Sequence, residues 1–361
     1  MKKQKIFLVA ILHMALLNTS MSCGKDSEPA NNNNLTTSRV SGEWLIPTNE
    51  VFEGGPGKDG IPALSNPEFT GPDEALYMSD SDLVLGLVHN GIARAFPHNI
   101  LDWHEIVNDS YGDLHLSVIY CPLTGTGTLW NRNINGNVTT FGVSGLLYNS
   151  NIIPYDRETD SNWSQIMLKA VNGKLKGENA EDFFILETRW DTWKEMYPKT
   201  RVLSDNTGYN RDYDRYPYGD YRTSSSLFFP VSNEDNRLHR KERVLGVLID
   251  GNAKAFSIEE FGSSISLIHD TFNEENLVIA GSKEKNFIVA FKTETEDGNT
   301  RDFTAVQNKL PVIMKDEEGT LYDLSGQAVD GPGKGNRLVP ATQFMGYWFA
   351  WAAFYPEIKL Y

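Results

Sequence analysis

One motif occurs twice in this chain of 361 residues and constrains its fold more than any other feature. Residues 84–96 read VLGLVHNGIARAF, and residues 244–256 read VLGVLIDGNAKAF. An Asn-Gly or Asp-Gly pair between two alternating apolar runs predicts a β-hairpin with a two-residue turn. A motif that returns at such a distance indicates an internal repeat, so we expect one structural unit to be present twice.

The far ends of the two copies also correspond. Residues 170–173 (AVNG) match residues 328–331 (AVDG), and a Trp-Tyr-Pro pattern follows each of them. That pattern comprises Trp193, Tyr197 and Pro198 in the first copy and Trp351, Tyr355 and Pro356 in the second. We therefore predict a first module at residues 80–204, a connecting segment at 205–242 and a second, degenerate module at 243–361.

Each module reads as a hairpin, a short helix, several further strands and a late helix that ends at Tyr-Pro. The predicted fold class is α+β, mainly antiparallel β with a few short helices, in two pseudo-repeated modules. The connecting segment is rich in tyrosine, with Tyr209, Tyr213, Tyr216, Tyr218 and Tyr221. So many aromatic side chains favour packing, and we expect this segment to lie across the first module and form part of a pocket wall.

The amino terminus has the pattern of an export signal. Lysines precede a short apolar run and small residues, which predicts a secretory signal peptide at residues 1–22. Cys23 follows directly, so it is the predicted lipidation site, and residues 23–40 form a polar tether. Residues 23–28 (CGKDSE) also resemble the acidic surface-export tag of Bacteroidetes lipoproteins. An ordinary signal peptide with an incidental cysteine is the alternative.

These features place the protein in the cell envelope, lipid-anchored in the outer membrane, with exposure at the cell surface left open. The formal net charge of −15 argues against binding to nucleic acid or to an anionic leaflet, because both require a basic surface. The predicted membrane contact is therefore the lipid anchor alone, and the sequence identifies no protein partner.

Cys121 is the only cysteine besides Cys23. The second copy serves as a control, since a reactive residue that occurs in one copy alone is a candidate for function. The turn after Cys121, residues 122–128 (PLTGTGT), is replaced in the second copy by residues 281–285 (GSKEK). His104 is aligned there with serine. Trp193 and Tyr197 occur in both copies and are therefore predicted to pack in the core.

A helix is predicted over about residues 99–108, with His104 facing inward and Asn108 one turn further along. Cys121 should leave the following strand near this helix. Three functions stay open. Cys121 and His104 could bind a soft metal, copper rather than zinc. Cys121 could instead be a nucleophile with His104 as its base and Glu105 or Asn108 orienting that base. Cys121 could also be buried in a non-catalytic binding or scaffold protein.

Weaker candidates for ligand binding follow the cysteine. Thr124 and Thr126 lie in its turn, and Ser144 lies in a short glycine-containing stretch. Ser144 lacks the preceding glycine of a nucleophile elbow, which argues against a serine hydrolase. Asp156 and Arg157 could bind a polar ligand, but an ion pair that stabilises a turn is the favoured interpretation.

Several of these stretches together resemble the bacterial and archaeal family filed as domain of unknown function 3179. They are residues 94–97 (RAFP), 104–108 (HEIVN), 120–126 (YCPLTGT), 141–147 (FGVSGLL), 155–163 and 193–198. The resemblance covers most of residues 80–260 and implies no activity. It does imply a Cys-x-x-Cys turn in many members, with the second cysteine where this chain has Thr124. That difference puts dithiol exchange in doubt here.

Overall fold

The computed structural model describes residues 41–295 and 298–361. The predicted signal peptide, the lipidation site Cys23 and the tether to residue 40 lie outside the described residues. Within the described ranges, no helix combines the length and the apolar character needed to cross a bilayer.

Strands make up 44% of the described residues and helices 9%, which confirms the predicted α+β class with antiparallel sheet dominant. The described helices are α1 (His98–His104), α2 (Trp190–Met196) and α3 (Trp348–Phe354). The strands up to residue 203 are β1 (Val51–Glu53), β2 (Leu64–Ser65), β3 (Phe69–Thr70), β4 (Leu83–His89), β5 (Ile92–Pro97), β6 (Ile106–Tyr111), β7 (Leu114–Cys121), β8 (Thr126–Asn131), β9 (Asn133–Ile134), β10 (Asn137–Val138), β11 (Phe141–Tyr148), β12 (Asn151–Asp156), β13 (Asn162–Ser164), β14 (Lys169–Asn172), β15 (Asp182–Phe183), β16 (Leu186–Arg189) and β17 (Arg201–Leu203). The later strands are β18 (Arg243–Ile249), β19 (Asn252–Ser257), β20 (Ser266–Phe272), β21 (Glu275–Ser282), β22 (Phe287–Thr295), β23 (Phe303–Ala305), β24 (Val312–Asp316), β25 (Leu321–Asp323), β26 (Ala328–Asp330), β27 (Leu338–Pro340), β28 (Thr342–Tyr347) and β29 (Lys359–Leu360).

Both predicted hairpins form, and each lies in a sheet of the same plan. The first sheet has the strand order β16-β4-β5-β17-β3, and the second has the order β28-β18-β19-β29. In each sheet the first strand of the hairpin has an antiparallel partner, β16 or β28. A helix, α2 or α3, connects that partner to a short strand that pairs in parallel with the second strand of the hairpin. Arg201 lies opposite Arg94 in the first sheet, and Lys359 lies opposite Lys254 in the second.

The late helices pack on these sheets in the same way. Trp193 and Trp351 are buried, each against a glycine of its hairpin. A methyl group added to Gly86 would lie 2.1 Å from the Trp193 ring, and one added to Gly246 would lie 2.1 Å from the Trp351 ring. Only glycine leaves room for an indole there, so core packing of the tryptophans, as predicted from the sequence, is confirmed.

Four further sheets of four or five strands complete the main architecture of the described residues. Residues up to 203 form the sheets β15-β8-β7-β6-β2 and β1-β11-β12-β13-β14. Later residues form the sheets β20-β21-β22-β27 and β23-β24-β25-β26. Three of the early strands, β1, β2 and β3, come from residues 51–70, which the sequence prediction assigned to no module.

The predicted helix over residues 99–108 is too long. Helix α1 ends at His104, and Ile106 begins β6, so Asn108 lies on a strand and not on the helix. Ile106–Tyr111 pairs antiparallel with β7 across a tight turn at Gly112. The β-branched and aromatic residues of this segment favour that pairing over another helical turn.

Candidate functional site

The end of α1 is held against the connecting segment by consecutive residues. Asp102 accepts two hydrogen bonds from the guanidinium of Arg222, at 2.9 and 2.6 Å. The indole nitrogen of Trp103 donates to the carbonyl of Arg215 at 3.2 Å. The Tyr-rich segment therefore packs over the first region, as the sequence analysis predicted.

His104 links this segment to an earlier loop. Its Nδ1 lies 2.8 Å from the carbonyl oxygen of Pro62, and its Nε2 lies 2.7 Å from the hydroxyl of Tyr213. Because a carbonyl only accepts, Nδ1 is assigned the proton and Nε2 accepts from the tyrosine. Burial lowers the pKa of His104 to about 4, so the ring is neutral at pH 7. His104 faces inward, as predicted, and both its nitrogens are occupied.

Glu105 has an unusual backbone and an unusual side chain. It follows the last helical residue with φ +57° and ψ −36°, outside the regions that residues other than glycine normally adopt. Its side chain is buried, and Oε2 has no hydrogen-bond partner among the described residues. Oε1 accepts one long hydrogen bond, at 3.5 Å, from Tyr218. Burial raises the pKa of Glu105 to about 8, so its carboxyl is largely protonated at neutral pH.

Glu105 lines a cavity of about 360 Å³. The cavity lies between the end of α1, strands β11 and β12, the glycine-rich loop before β2, and the connecting segment. Apolar side chains form most of its wall, among them Ile61, Leu123, Val143, Leu147, Ile152 and Phe229. The charged residues of its lining are Asp102, Glu105 and Arg211. A few polar groups among mainly apolar lining residues is the composition typical of small-molecule binding sites.

Cys121 lies beside this cavity but does not line it. The thiol is completely buried and donates a weak hydrogen bond to the carbonyl of Ser150 at 3.7 Å. Burial, with a contribution from the charge of Glu105, raises the pKa of Cys121 to about 11. At neutral pH the group is therefore a thiol and not a thiolate, whereas nucleophiles and soft-metal ligands require the thiolate.

The turn after Cys121 is part of the core. Thr124 and Thr126 are buried and share hydrogen bonds with each other, with Asn151 and with Gln165. The carbonyl of Thr124 accepts from the amide of Tyr347 at 2.8 Å, which joins the turn to the second region. Neither hydroxyl lines the cavity.

Asn108 and Ser144 also have partners within the protein. The side-chain amide of Asn108 donates to the carbonyls of Leu64 and Phe141, and its oxygen accepts from the Phe141 amide at 2.8 Å. Ser144 donates to the carbonyl of Ile153. These bonds hold neighbouring strands together.

Asp156 and Arg157 stabilise a turn, although Arg157 is partly exposed. The carboxylate of Asp156 accepts from Thr159 and from the indole of Trp163, at 2.7–3.1 Å. Arg157 donates to the Phe141 carbonyl at 2.8 Å and pairs with Asp59 at 2.6 Å. Of the site candidates taken from the sequence, Glu105 is therefore the one whose side chain faces the cavity.

These surroundings do not fit a copper site on Cys121 and His104. The lone pair on Nε2 of His104 is used by Tyr213, and the carbonyl of Ser150 accepts the thiol proton of Cys121. Across residues 41–295 and 298–361, no group of three or more His, Cys, Asp or Glu side chains could hold a metal ion.

When the two regions are aligned on the turns of the β6–β7 and β20–β21 hairpins, the counterpart of His104 differs from the one matched in the sequence. Ile106 pairs with Ile119, and Leu267 pairs with Ala280, at equal distances from the turns. Cys121 then corresponds to Ser282, Glu105 to Ser266, and His104 to Ile265, not to a serine. The match of His104 with a serine was wrong because the second region has one more residue than the first between the motif hairpin and the strand that follows it.

Sequence reasoning missed three lining or supporting residues, Asp102, Arg211 and Arg222. Their positions could have pointed to the site, because Asp102 lies two residues before His104 and both arginines lie in the Tyr-rich segment. Pairing them requires knowledge of how that segment folds back on α1.

No curated protein and no solved structure is similar to this chain at a significant level. One family model matches residues 58–358, which includes both regions and the connecting segment between them. The chain therefore belongs to the family described as protein of unknown function (DUF3179).

Proposed function

We propose that this protein binds a small, mainly apolar molecule in the cavity beside α1, with Glu105 as its polar contact. The observation that carries this proposal is the buried carboxyl of Glu105, a residue that lines this cavity and whose Oε2 has no hydrogen-bond partner among the described residues. Leaving such a group unpaired costs about 1–3 kcal/mol. A ligand atom that accepts a hydrogen bond from this carboxyl would recover that energy.

The backbone of Glu105 supports the same proposal. A residue held at φ +57° and ψ −36° costs on the order of 1–3 kcal/mol, and such strain is concentrated at functional sites. The cavity volume of about 360 Å³ also falls in the range of small-molecule sites, roughly 300–1,000 Å³.

The experiment measures binding of 2-phenylethanol to the purified protein by isothermal titration calorimetry. Its ring suits the apolar wall, and its hydroxyl oxygen can accept a hydrogen bond from the protonated carboxyl of Glu105. Val143→Phe places a larger side chain in the cavity wall and is expected to abolish binding. Val138→Phe, on exposed strand β10, is the matched control and is expected to bind as the parent does.

Circular dichroism and thermal unfolding would establish that both variants are folded. A folded Val143→Phe protein that still binds the probe would show that the cavity is not the site. A folded parent that binds neither this probe nor its charged analogues would overturn the proposed function.

The copper and nucleophile hypotheses for Cys121 and His104 stay predictions, and the contacts described above do not support them. Metal content by mass spectrometry, together with thiol alkylation against pH in the parent and in His104→Ala, tests both. Bound copper that His104→Ala releases would favour the metal hypothesis over ligand binding in the cavity.

We also propose that residues 80–204 and 243–361 are pseudo-repeated modules. The similar hairpin sheets and the two glycine–tryptophan contacts support this proposal.

We further propose that the protein is an envelope lipoprotein anchored through Cys23. Cys23→Ala should then move the protein from the membrane fraction to the soluble fraction of the cell envelope, and unchanged fractionation would contradict the anchor.

A further inference from the structure

Arg211 is the cationic group of the cavity wall whose charge is not matched. It is half-buried, and no carboxylate within residues 41–295 and 298–361 lies within ion-pair distance of it. Its Nε is buried without a hydrogen-bond partner in the described structure. Its Nη1 donates a long hydrogen bond, 3.4 Å, to the carbonyl of Asn210. Guanidinium donors in such a position can bind a ligand.

The acidic groups of the same wall do not compensate for this charge. Asp102 forms an ion pair with Arg222, so its negative charge already has a partner. Burial raises the pKa of Asp102 to about 7 and that of Glu105 to about 8. At neutral pH the carboxyls of the wall are therefore paired or largely protonated, while the guanidinium of Arg211 keeps its charge.

We infer that the ligand of this cavity is a small organic anion, with a carboxylate that pairs with Arg211 and an apolar body that fills the cavity. This inference rests on the proposed function, because it names the ligand class of the same site. The guanidinium can hold a carboxylate with two parallel hydrogen bonds. The aromatic rings of Phe228, Phe229 and Tyr218 then surround the body of the ligand. Protonated Glu105 can donate a hydrogen bond to an acceptor atom of that ligand.

Arg215 provides a matched control within the same segment. The guanidiniums of Arg211 and Arg215 lie over the ring of Trp103, at 5.6 and 5.9 Å from its centroid. Arg215 is exposed and does not line the cavity. Substituting either arginine removes one charge and one contact with Trp103, but only Arg211→Gln removes the proposed ligand contact.

The test compares three probes with the same ring, phenylacetate, 2-phenylethanol and 2-phenylethylamine, by titration calorimetry at pH 7. We expect phenylacetate to bind the parent about tenfold more tightly than 2-phenylethanol, the effect of one charge-assisted contact. Arg211→Gln should remove that preference and leave the affinity for 2-phenylethanol within about twofold of the parent. Arg215→Gln should keep the preference.

Equal or tighter binding of 2-phenylethanol or 2-phenylethylamine by the parent would overturn the anionic ligand class and leave the proposed function standing. A preference for phenylacetate that persists in folded Arg211→Gln would overturn the role of Arg211. Absence of binding for all three probes would instead overturn the proposed function itself.

Discussion

Each of the two regions has a hairpin sheet of the same plan, and the regions differ in the segment that leaves the hairpin. In residues 80–204 the hairpin leads into α1, whose last residues contact the connecting segment and end at the strained Glu105. In residues 243–361 the hairpin leads into a short 3-10 helix, Ile258–Glu260, and the buried ring of Phe261 comes next. That ring packs closely on Gly281, where a methyl group would lie 2.7 Å from it.

Two hairpin sheets of the same plan are therefore followed by a cavity in the first region and by a closely packed phenylalanine in the second. The glycine–tryptophan contacts of the sheets serve both regions equally. The cavity depends on α1, on the loop before β2 and on residues 211–229 of the connecting segment. The later residues of that segment bond instead to α3 and the residues after it. Four predictions test this division, in order of decreasing effect.

The largest effect is expected at the ion pair that joins the two regions. Glu187 on β16 is buried and pairs with Arg243 on β18, and its second oxygen lies 3.3 Å from His98. Glu187→Gln leaves the charge of Arg243 unpaired, so we expect a loss of about 3–5 kcal/mol in the free energy of unfolding at pH 7. Urea denaturation measures it. Glu259→Gln, which breaks the exposed pair with Lys283, is the control and should change stability by less than about 1 kcal/mol.

The same pair gives a pH dependence with a definite sign. Burial raises the pKa of Glu187, but Arg243 and His98 outweigh it and bring the pKa to about 2. Because the folded-state pKa is below the unfolded value, the stabilisation is present above about pH 5 and is lost as the pH falls towards 2. The stability difference between the parent and Glu187→Gln should therefore shrink at pH 3. A constant difference would show that the charge of Glu187 is not what joins the regions.

The second prediction concerns the feature that both regions share. Gly86→Ala and Gly246→Ala each push a methyl group into a buried indole, and overpacking of this kind costs about 1–3 kcal/mol or more. Both variants should unfold at clearly lower urea concentrations than the parent. Gly262→Ala is the control, since an added methyl group there contacts nothing within 4 Å. If only one of the two variants is destabilised, the two regions are not packed alike.

The third prediction expects opposite signs in the two regions. Glu105→Gly relieves the strained backbone and removes a buried unpaired oxygen, so it should raise stability by about 1 kcal/mol. Ser266→Gly, at the corresponding position on β20, should lower stability by about 0.5–1 kcal/mol, because glycine loses more backbone entropy there. Thermal unfolding at pH 7 measures both. A loss of stability in Glu105→Gly would show that the side chain serves the fold and not a ligand.

How far the sequence could predict these features depends on whether they follow from neighbouring residues or from contacts between separate segments of the chain. The hairpins, the late helices and their buried tryptophans follow from local periodicity and from the repeat, and the structure has them. The end of α1 was misplaced because Ile106 and Val107 fit a helical stripe as well as a strand. Their pairing with β7 across the turn at Gly112 decides between the two, and that pairing is a tertiary contact.

The site was less accessible to sequence reasoning. Cys121 and His104 stood out as reactive residue types that lack a counterpart, yet their contacts lie in the core and in the docked segment. Glu105 entered the sequence analysis only as the neighbour of His104 that could orient it, and not as a ligand contact. Its strained backbone, its burial and its place on the cavity wall all arise from chain segments far apart in sequence, Pro62 and Tyr218 among them.

The last prediction concerns Cys121 itself, where we expect an effect no larger than that of Glu105→Gly. In the alignment by hairpin turns its counterpart is Ser282, whose hydroxyl donates to the carbonyl of Ser263 at 2.9 Å. The thiol of Cys121 donates a weaker bond to the carbonyl of Ser150 at 3.7 Å, so a serine there would lie too far from that carbonyl for a good hydrogen bond. We expect Cys121→Ser to cost about 1 kcal/mol of unfolding free energy and to leave 2-phenylethanol binding unchanged.

Thiol chemistry distinguishes this expectation from a reactive role for Cys121. A buried thiol with a pKa of about 11 should react with iodoacetamide only when the protein opens. Alkylation of the parent at pH 7 should therefore be slow, and low urea concentrations that favour opening should accelerate it. Fast alkylation of the folded parent, or a loss of probe binding in Cys121→Ser, would mean that the first region differs from the second at its cysteine as well as at Glu105. The candidate site would then include the thiol of Cys121 at the end of β7.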